Sequence, residues 1–483
     1  MIQSLYPTQK PLAALSNIDK NAIDRVTSSH PINRSLSIFL YLLLPPLSIN
    51  AQKSLTYYDD IEPIIQKNCV ACHRQGQIAP FPLMTFEDVD RRAGFIKKVT
   101  AQKYMPPNPS DPSVSTFKNV KKLTHEEIDK IGKWVDQGKA KGKEQKTKDK
   151  ELINHLDTTW REPDLILTLT KPYIIQGDNR EHFVVFVVPT NTNEDLYVSG
   201  IDFFPENRQL AHHCRFMIDT THLLRPDNGI EVGDDSEFQR LGVKMNDNFW
   251  HGWIPGNTAI FYPEGTAKRL PKGSDIILNM HYSPSSKELT EQSKILLYLS
   301  RKTAKRLVKT FLLEENAIVN EPFIITKDTI IKFYQRSPIV PHDISLISIT
   351  PHMHLLGKNF KAFAITPDGD LVNLIQINNW DFNWQMTYQF DKLLKIPKGS
   401  VIYAEAEYDN TTQNGRNPYN PPRDVPYGWG TKDEMMNLIF QYLDTFSISR
   451  QFDFENSNDT LTSLTLLGYT LIIFLYINSI FFI

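Results

Sequence analysis

One short string occurs twice in this chain and limits the folds open to most of it. Leu270-Pro271-Lys272-Gly273-Ser274-Asp275-Ile276, ending at His281-Tyr282, matches Ile396-Pro397-Lys398-Gly399-Ser400-Val401-Ile402, ending at Glu407-Tyr408, in the same register. Proline presets one turn angle and glycine admits the backbone a tight reversal needs, so each copy reads as a turn feeding a strand. From Trp160 onward the texture agrees. Runs such as 183–188, 344–349 and 401–404 are short, β-branched and separated by Pro, Gly, Asn and Asp. This pattern predicts antiparallel sheets packed as sandwiches. The repeat favours two similar sandwiches, over 160–300 and 301–445, rather than one large one.

The sequence before them has a helical pattern. A stretch carrying Lys141, Lys143, Lys146, Lys148 and Lys150 reads as a linker over 139–159, because the like charges repel and little apolar material accompanies them. Ahead of it lies Cys69-Val70-Ala71-Cys72-His73. Two thiols at this spacing can each bond a porphyrin vinyl group while the next imidazole reaches the iron, the signature of covalent haem c. The second axial ligand falls to Met105, presented by Pro106-Pro107, with Met84 as the runner-up. Thr124 and Glu127 form a capping box for a closing helix whose Ile128, Ile131, Trp134 and Val135 recur at helical spacing, with Gly138 as its stop. His125, in its first turn, is expected to face solvent. The expected architecture is thus multidomain, with an all-α cytochrome c domain over 52–138 followed by two all-β antiparallel jelly-roll-like sandwiches.

The termini bear on location. Arg34 precedes an apolar run over 36–44 that Pro45-Pro46 ends, and Ala51 offers a cleavage point, so 1–51 reads as an export signal. Over 461–483 the chain carries no charge and is long enough to cross a bilayer. The expectation is an exported protein, periplasmic or on the outer face of a membrane, with membrane attachment through 461–483 within the tail 446–483. A net charge of -2 supplies no basic face for nucleic acid. Three cysteines, two of them in the haem motif, leave no disulfide framework, and Cys214 reads as a small buried hydrophobe or as a neighbour to a metal ligand.

Two residue sets carry the metal chemistry. His212-His213 with His281 form one, and His352-Met353-His354 with Met435 form the other. Imidazole suits copper in both oxidation states, and a thioether binds Cu(I) better than it binds zinc, calcium or magnesium. His352 and His354, two apart on an extended strand, point to one face. His212 and His213 are neighbours, so a bulge, a strand end or the use of different ring nitrogens must bring them to one metal. His155, His182, His222, His251 and His342 have no partner at ligand spacing and read as structural or solvated.

These residues resemble the copper type II, ascorbate-dependent monooxygenases, which include peptide-amidating and dopamine-hydroxylating enzymes. The resemblance covers roughly 160 to 445 and rests on His212-His213, His281, the string His352-Met353-His354-Leu355-Leu356-Gly357-Lys358 and the string Thr431-Lys432-Asp433-Glu434-Met435-Met436-Asn437-Leu438. It implies two sandwiches facing each other across a solvent-filled cleft. His212, His213 and His281 would hold an electron-storing copper. His352, His354 and Met435 would hold the copper that binds O2 and hydroxylates a C–H bond, with Met436 as the alternative to Met435.

Three departures shape the expectation. Thr350 and Ile439 stand where the amidating enzymes place an Arg and a Tyr that grip a substrate carboxylate, although Asn437 is retained. The disulfides of the animal enzymes are missing. The haem motif suggests haem-delivered electrons in place of ascorbate, from a small cytochrome or a membrane quinol system. The expected function is a monooxygenase with two copper ions and one haem c, acting with O2 on a small-molecule substrate. Its alternative is a non-catalytic haem and copper protein for electron transfer or copper handling.

Overall fold

A computed structural model describes residues 54–118, 120–144, 161–232, 249–257, 259–301, 304–428 and 430–445. The expected export signal, most of the lysine-rich linker with His155, and the apolar stretch 461–483 lie outside these residues. Among the described residues no helix is long and apolar enough to cross a membrane.

Among the described residues α-helices are confined to the start. They are α1 (Glu62–Asn68), α2 (Phe86–Asp90), α3 (Ala93–Ala101) and α4 (His125–Asp136). The capping box at α4 is present: Thr124 Oγ1 accepts from Glu127 N at 3.1 Å and Glu127 Oε2 accepts from Thr124 N at 2.7 Å. Ile131 and Trp134 of α4 pack with Tyr57, Ile61, Ile65 and Val70 in one small core.

The rest is β. In the first sandwich a five-stranded sheet has the order Ile230–Glu231, His182–Pro189, Asp275–Tyr282, Ala211–Asp219, Phe249–Trp253. In the second a four-stranded sheet has the order Ile330–Arg336, Val401–Asp409, Gly357–Ile365, Leu371–Ile377. Each sandwich encloses its own apolar core, in which a fully buried large side chain contributes roughly 1.5–3 kcal/mol. The repeated turns serve the same purpose in both. Ser274 N donates to Pro271 O and Ser400 N to Pro397 O, each at 3.2 Å, with Gly273 at φ 63° and Gly399 at φ 86°. In each turn the lysine amide donates to an aspartate of a neighbouring segment, Lys272 to Asp195 and Lys398 to Asp343, both at 2.8 Å.

Two features correct the expected architecture. First, the chain is mostly strand, with 12% helix, and the helical region over 57–136 is not a clear all-α cytochrome c domain. Its helices are short, and the segment after α3 leaves them for the second sandwich. Asp111 N donates to Gln376 O at 2.7 Å and Lys118 N to Gln389 O at 2.9 Å, with bridges Ser110 to Ile377 and Phe117 to Phe390. Backbone groups that a self-contained helical domain would satisfy internally are spent on strand edges instead. Second, the sandwiches are neither separate nor wholly antiparallel. Most of their remaining strands form one nine-stranded sheet, and four short ones form two separate pairs. The junction is a parallel pairing of Thr266–Leu270 with Arg306–Leu313, at Thr266 to Arg306 and Ala267 to Leu307.

A buried cation marks this junction. Lys268, 2% exposed, donates from Nζ to Trp250 O of the first sandwich and, at 3.0 Å, to Thr310 Oγ1 across the junction. Burial lowers its pKa from 10.5 to about 7. Between these two values the unfolded chain binds the extra proton, so stability gains as pH rises through that window and loses as it falls back. Thermal melts from neutral to alkaline pH are therefore expected to show this gain in the native protein and a smaller one in Lys268→Met; equal slopes would refute the assignment.

Candidate metal centre

The strand Ala211–Asp219 carries His212 and His213, and its partner Asp275–Tyr282 carries His281. Regular pairing would turn neighbouring histidines to opposite faces. The register avoids this: His281 pairs with His213 and Tyr282 with Ala211, leaving His212 as the extra residue of a bulge. The three residues offer ligand atoms all within 4.8 Å of one another. His281 Nδ1 lies 3.2 Å from His213 Nε2, while His212 Nδ1 and His281 Nε2 are buried without a hydrogen-bond partner. Converging imidazole nitrogens left unsatisfied suit a metal, and the donor set suits copper.

The second set lies on the other sandwich. His352 ends the strand Ile344–His352 and His354 lies just beyond it. Their ring centroids are 5.1 Å apart. His352 Nδ1 bonds to Gln385 Oε1, and His354 Nδ1 bonds to Asp433 O at 3.0 Å. Both partners are acceptors, so each Nδ1 carries the proton and each Nε2 keeps its lone pair, the usual device that orients a ligating histidine. Met435 is 2% exposed, its Sδ 3.8 Å from Asn437 Nδ2 and its carbonyl held by Tyr408 OH at 2.7 Å. Met436 belongs to the apolar core of the second sandwich, where Met435 is not found among the described residues.

Burial favours the neutral form of four of these imidazoles, the form that ligates metal. It lowers His212 to about 4 and His354 to about 4, and takes His213 and His352 well below the usual value. Charges on His352 and His354 would oppose one on His213, so the two sets sense each other. His213 and His352 line one cavity of about 70 Å³, together with Arg215, Trp253, Thr350 and Ile439. Phe382 stands in the gap, its ring centroid 5.2 Å from that of His212 and 5.9 Å from that of His354. The solvent-filled cleft implied by resemblance is to that extent occupied.

Two acids escaped the sequence reading. Glu181 Oε1 is 3.6 Å from His281 Nε2, and the neighbouring imidazole lowers its pKa. Glu434, fully buried, accepts from His354 N at 2.8 Å, Leu356 N at 2.5 Å and Met435 N at 3.3 Å. It ties the turn after His352 to the segment bearing Met435. Glu434 adjoins Met435 in sequence, the only local signal. Glu181 gave none, because it reaches His281 only through the pairing of His182–Pro189 with Asp275–Tyr282.

The other candidate residues fall elsewhere. Cys69 and Cys72 are free thiols at the end of α1, and His73 Nδ1 donates to Phe81 O at 3.0 Å. Met84 packs on the helical core, and Met105 follows α3 with its amide on Val99 O at 3.2 Å. His125 is exposed at the start of α4. His182 bonds to Asp178 and Glu231, His222 bonds to Asp275, His251 is buried against Phe216, and His342 lies 4.0 Å from Asp444. Cys214 is buried beside the cavity.

Residues 313–460 match the family described as copper type II ascorbate-dependent monooxygenase, C-terminal domain. The matched stretch holds His352, His354 and Met435 and supports a copper-dependent oxidoreductase of the monooxygenase kind. No curated protein matches the chain at a significant level. Among solved structures, the VP2 subviral particle of infectious bursal disease virus is 9% identical over 60% of this chain and 74% of its own, with a TM-score of 0.17. A T=1 particle of Penaeus vannamei nodavirus is 11% identical over 56% and 98%, with a TM-score of 0.16. Oxalate decarboxylase of Bacillus subtilis is 7% identical over 63% and 85%, with a TM-score of 0.12. Similarity this slight carries no argument.

Removing the Glu434 side chain strips buried amides of their acceptor, which costs about 1–3 kcal/mol for each group left unsatisfied. Glu434→Ala should therefore unfold at a clearly lower urea concentration, while Glu434→Gln, which keeps one carbonyl acceptor, should lose less. Identical midpoints for Glu434→Ala and the native protein would refute this role.

Proposed function

We propose that the protein is a copper-dependent monooxygenase that inserts one oxygen atom of O2 into a C–H bond of a small substrate. The observation that carries the reading is that one histidine from each of two sets of candidate copper ligands, His213 and His352, lines a single cavity, while the stretch bearing the second set matches the monooxygenase family. His212, His213 and His281 would hold one copper, and His352, His354 and Met435 the other. Copper supplies one-electron redox chemistry and O2 activation when bound. Overall, substrate, O2, two electrons and two protons give the hydroxylated product and water.

The chain's own residues define the rest. Gln385 and Asp433 hold the His352 and His354 rings through Nδ1, leaving each Nε2 as the nitrogen that would ligate copper. Phe249, Trp253, Ile254 and Ile439 give the cavity apolar walls that can hold a hydrocarbon part of a substrate. Thr350 and Ile439 place no cation at the positions where the amidating enzymes grip a carboxylate, and the cation that lines this cavity is Arg215 instead. Thr350 instead donates to Thr387 Oγ1 at 2.9 Å.

For the electrons, the reading assigns a haem at Cys69, Cys72 and His73, with Met105 or Met84 as second axial ligand. The donor chemistry fits: the His73 Nδ1 hydrogen bond to Phe81 O leaves Nε2 for iron. Cys72 abuts the first sandwich, since a Cβ on Gly256 would come within 2.9 Å of its Sγ, and the flanking Ile254 and Asn257 line the cavity. An external cytochrome or quinol system would supply this group, on an exported chain held at a membrane through 461–483. A non-catalytic electron-transfer or copper-handling protein is the alternative, and oxygen consumption separates the two.

Purified protein is expected to bind two coppers per chain and to take up O2 when reduced. His281→Ala and His352→Ala should each lose one copper, and His352→Ala should abolish O2 uptake. Copper bound with no O2 uptake under any reductant would favour the alternative, and failure to bind copper would overturn both.

A further inference from the structure

One segment touches both histidine sets. Between the strands Leu371–Ile377 and Tyr388–Ile396 the chain leaves the sheet, and residues 380–385 cross from one set to the other. Trp380 Nε1 donates to His354 O at 3.1 Å. Gln385 bonds His352 through Oε1 and donates from Nε2 to Phe382 O at 2.8 Å. The Asn383 side chain lies beside His212. At the centre, the Phe382 ring stacks on His212 with 24° between planes and meets His354 edge-on at 87°.

The strap is held firmly. Arg416 donates to Trp380 O at 2.8 Å and to Asp381 Oδ2 at 3.0 Å, and Asp381 Oδ1 accepts from Asn383 N at 3.1 Å. Phe382 is 7% exposed, yet it is found in neither sandwich's apolar core among the described residues. A buried phenyl ring outside both cores, in contact with one candidate ligand from each set, has a position that packing of either core does not require.

We infer that Phe382 is a positioning residue that couples the two metal centres, fixing their separation and providing the contact path for the electron that passes between them. The inference rests on the two-copper reading above. In the step, the metal on the His212 side loses one electron and the metal on the His354 side gains it. No bond forms or breaks at the ring and no proton crosses it. An external one-electron reductant replaces the electron. Electron tunnelling through atoms in contact decays less with distance than tunnelling across a water gap, so a ring stacked on one ligand and edge-on to another shortens the effective path.

The test uses the full chain loaded with copper, in Phe382→Leu and Phe382→Tyr forms. Copper per chain is counted first, the dipolar interaction between the Cu(II) ions is read by electron paramagnetic resonance, and the reduced protein is then mixed with O2 to time reoxidation of the first-set copper. Both variants are expected to keep two coppers. Phe382→Leu should slow transfer between the sets by about tenfold or more, the change that about 1.36 kcal/mol of barrier produces, and should weaken the dipolar interaction; Phe382→Tyr should restore both. Native-like transfer in Phe382→Leu with two coppers bound would overturn the inference, as would Phe382→Tyr failing as badly as the leucine. A native protein that binds no copper would instead overturn the reading on which the inference rests.

Discussion

The short parallel pairing at Thr266–Leu270 and Arg306–Leu313 is the constraint on which the rest depends. It makes one sheet serve two sandwiches, so the faces that carry the histidines are set by backbone hydrogen bonds rather than by a hinge. Lys268 reinforces it from inside, bonding both sides. Gln441 adds a second cross-link, its Nε2 3.3 Å from Trp250 O. Buried polar groups of this kind cost stability when unpaired and specify one arrangement when satisfied. Here they stand where two cores must be kept from sliding.

Within each sandwich the geometry of the metal residues follows by strand register. His281 sits opposite His213 because Asp275–Tyr282 and Ala211–Asp219 pair without a break up to that point. His352 sits opposite Asn437 because Ile344–His352 pairs with Asn437–Asp444, which brings Met435 to the same end of the sheet. Glu434 and the strap over 380–385 then fix the turn that bears His354. Backbone ladders place the strands, while a few buried polar side chains set the last ångströms.

Much of this was legible in sequence, for physical reasons. The paired Pro-Lys-Gly-Ser turns declared themselves because a glycine at positive φ after a proline has few other uses. Thr124 and Glu127 announced a helix start because a capping box is local. His212, His213 and His281 stood out because adjacent imidazoles with a third on a strand are unusual, though nothing in sequence gave the register that joins them. The helical region was misjudged because helix starts and apolar spacing report local structure, not whether residues 105–118 close over the helices or pair with distant strands. Phe382, Asn383, Gln385 and Glu181 were silent: each acts through a tertiary contact with no periodic or motif signature.

The bulge at His212 carries one more implication. Because one extra residue turns two neighbouring imidazoles to a common purpose, the first metal site depends on a count as much as on chemistry. Deleting a single residue there would leave every ligand type in the chain and rotate one of them into the packed interior. Any engineering of this strand, or any drift in its length, must therefore preserve parity, and a search for relatives that scores residue identity alone would accept chains whose imidazoles never meet.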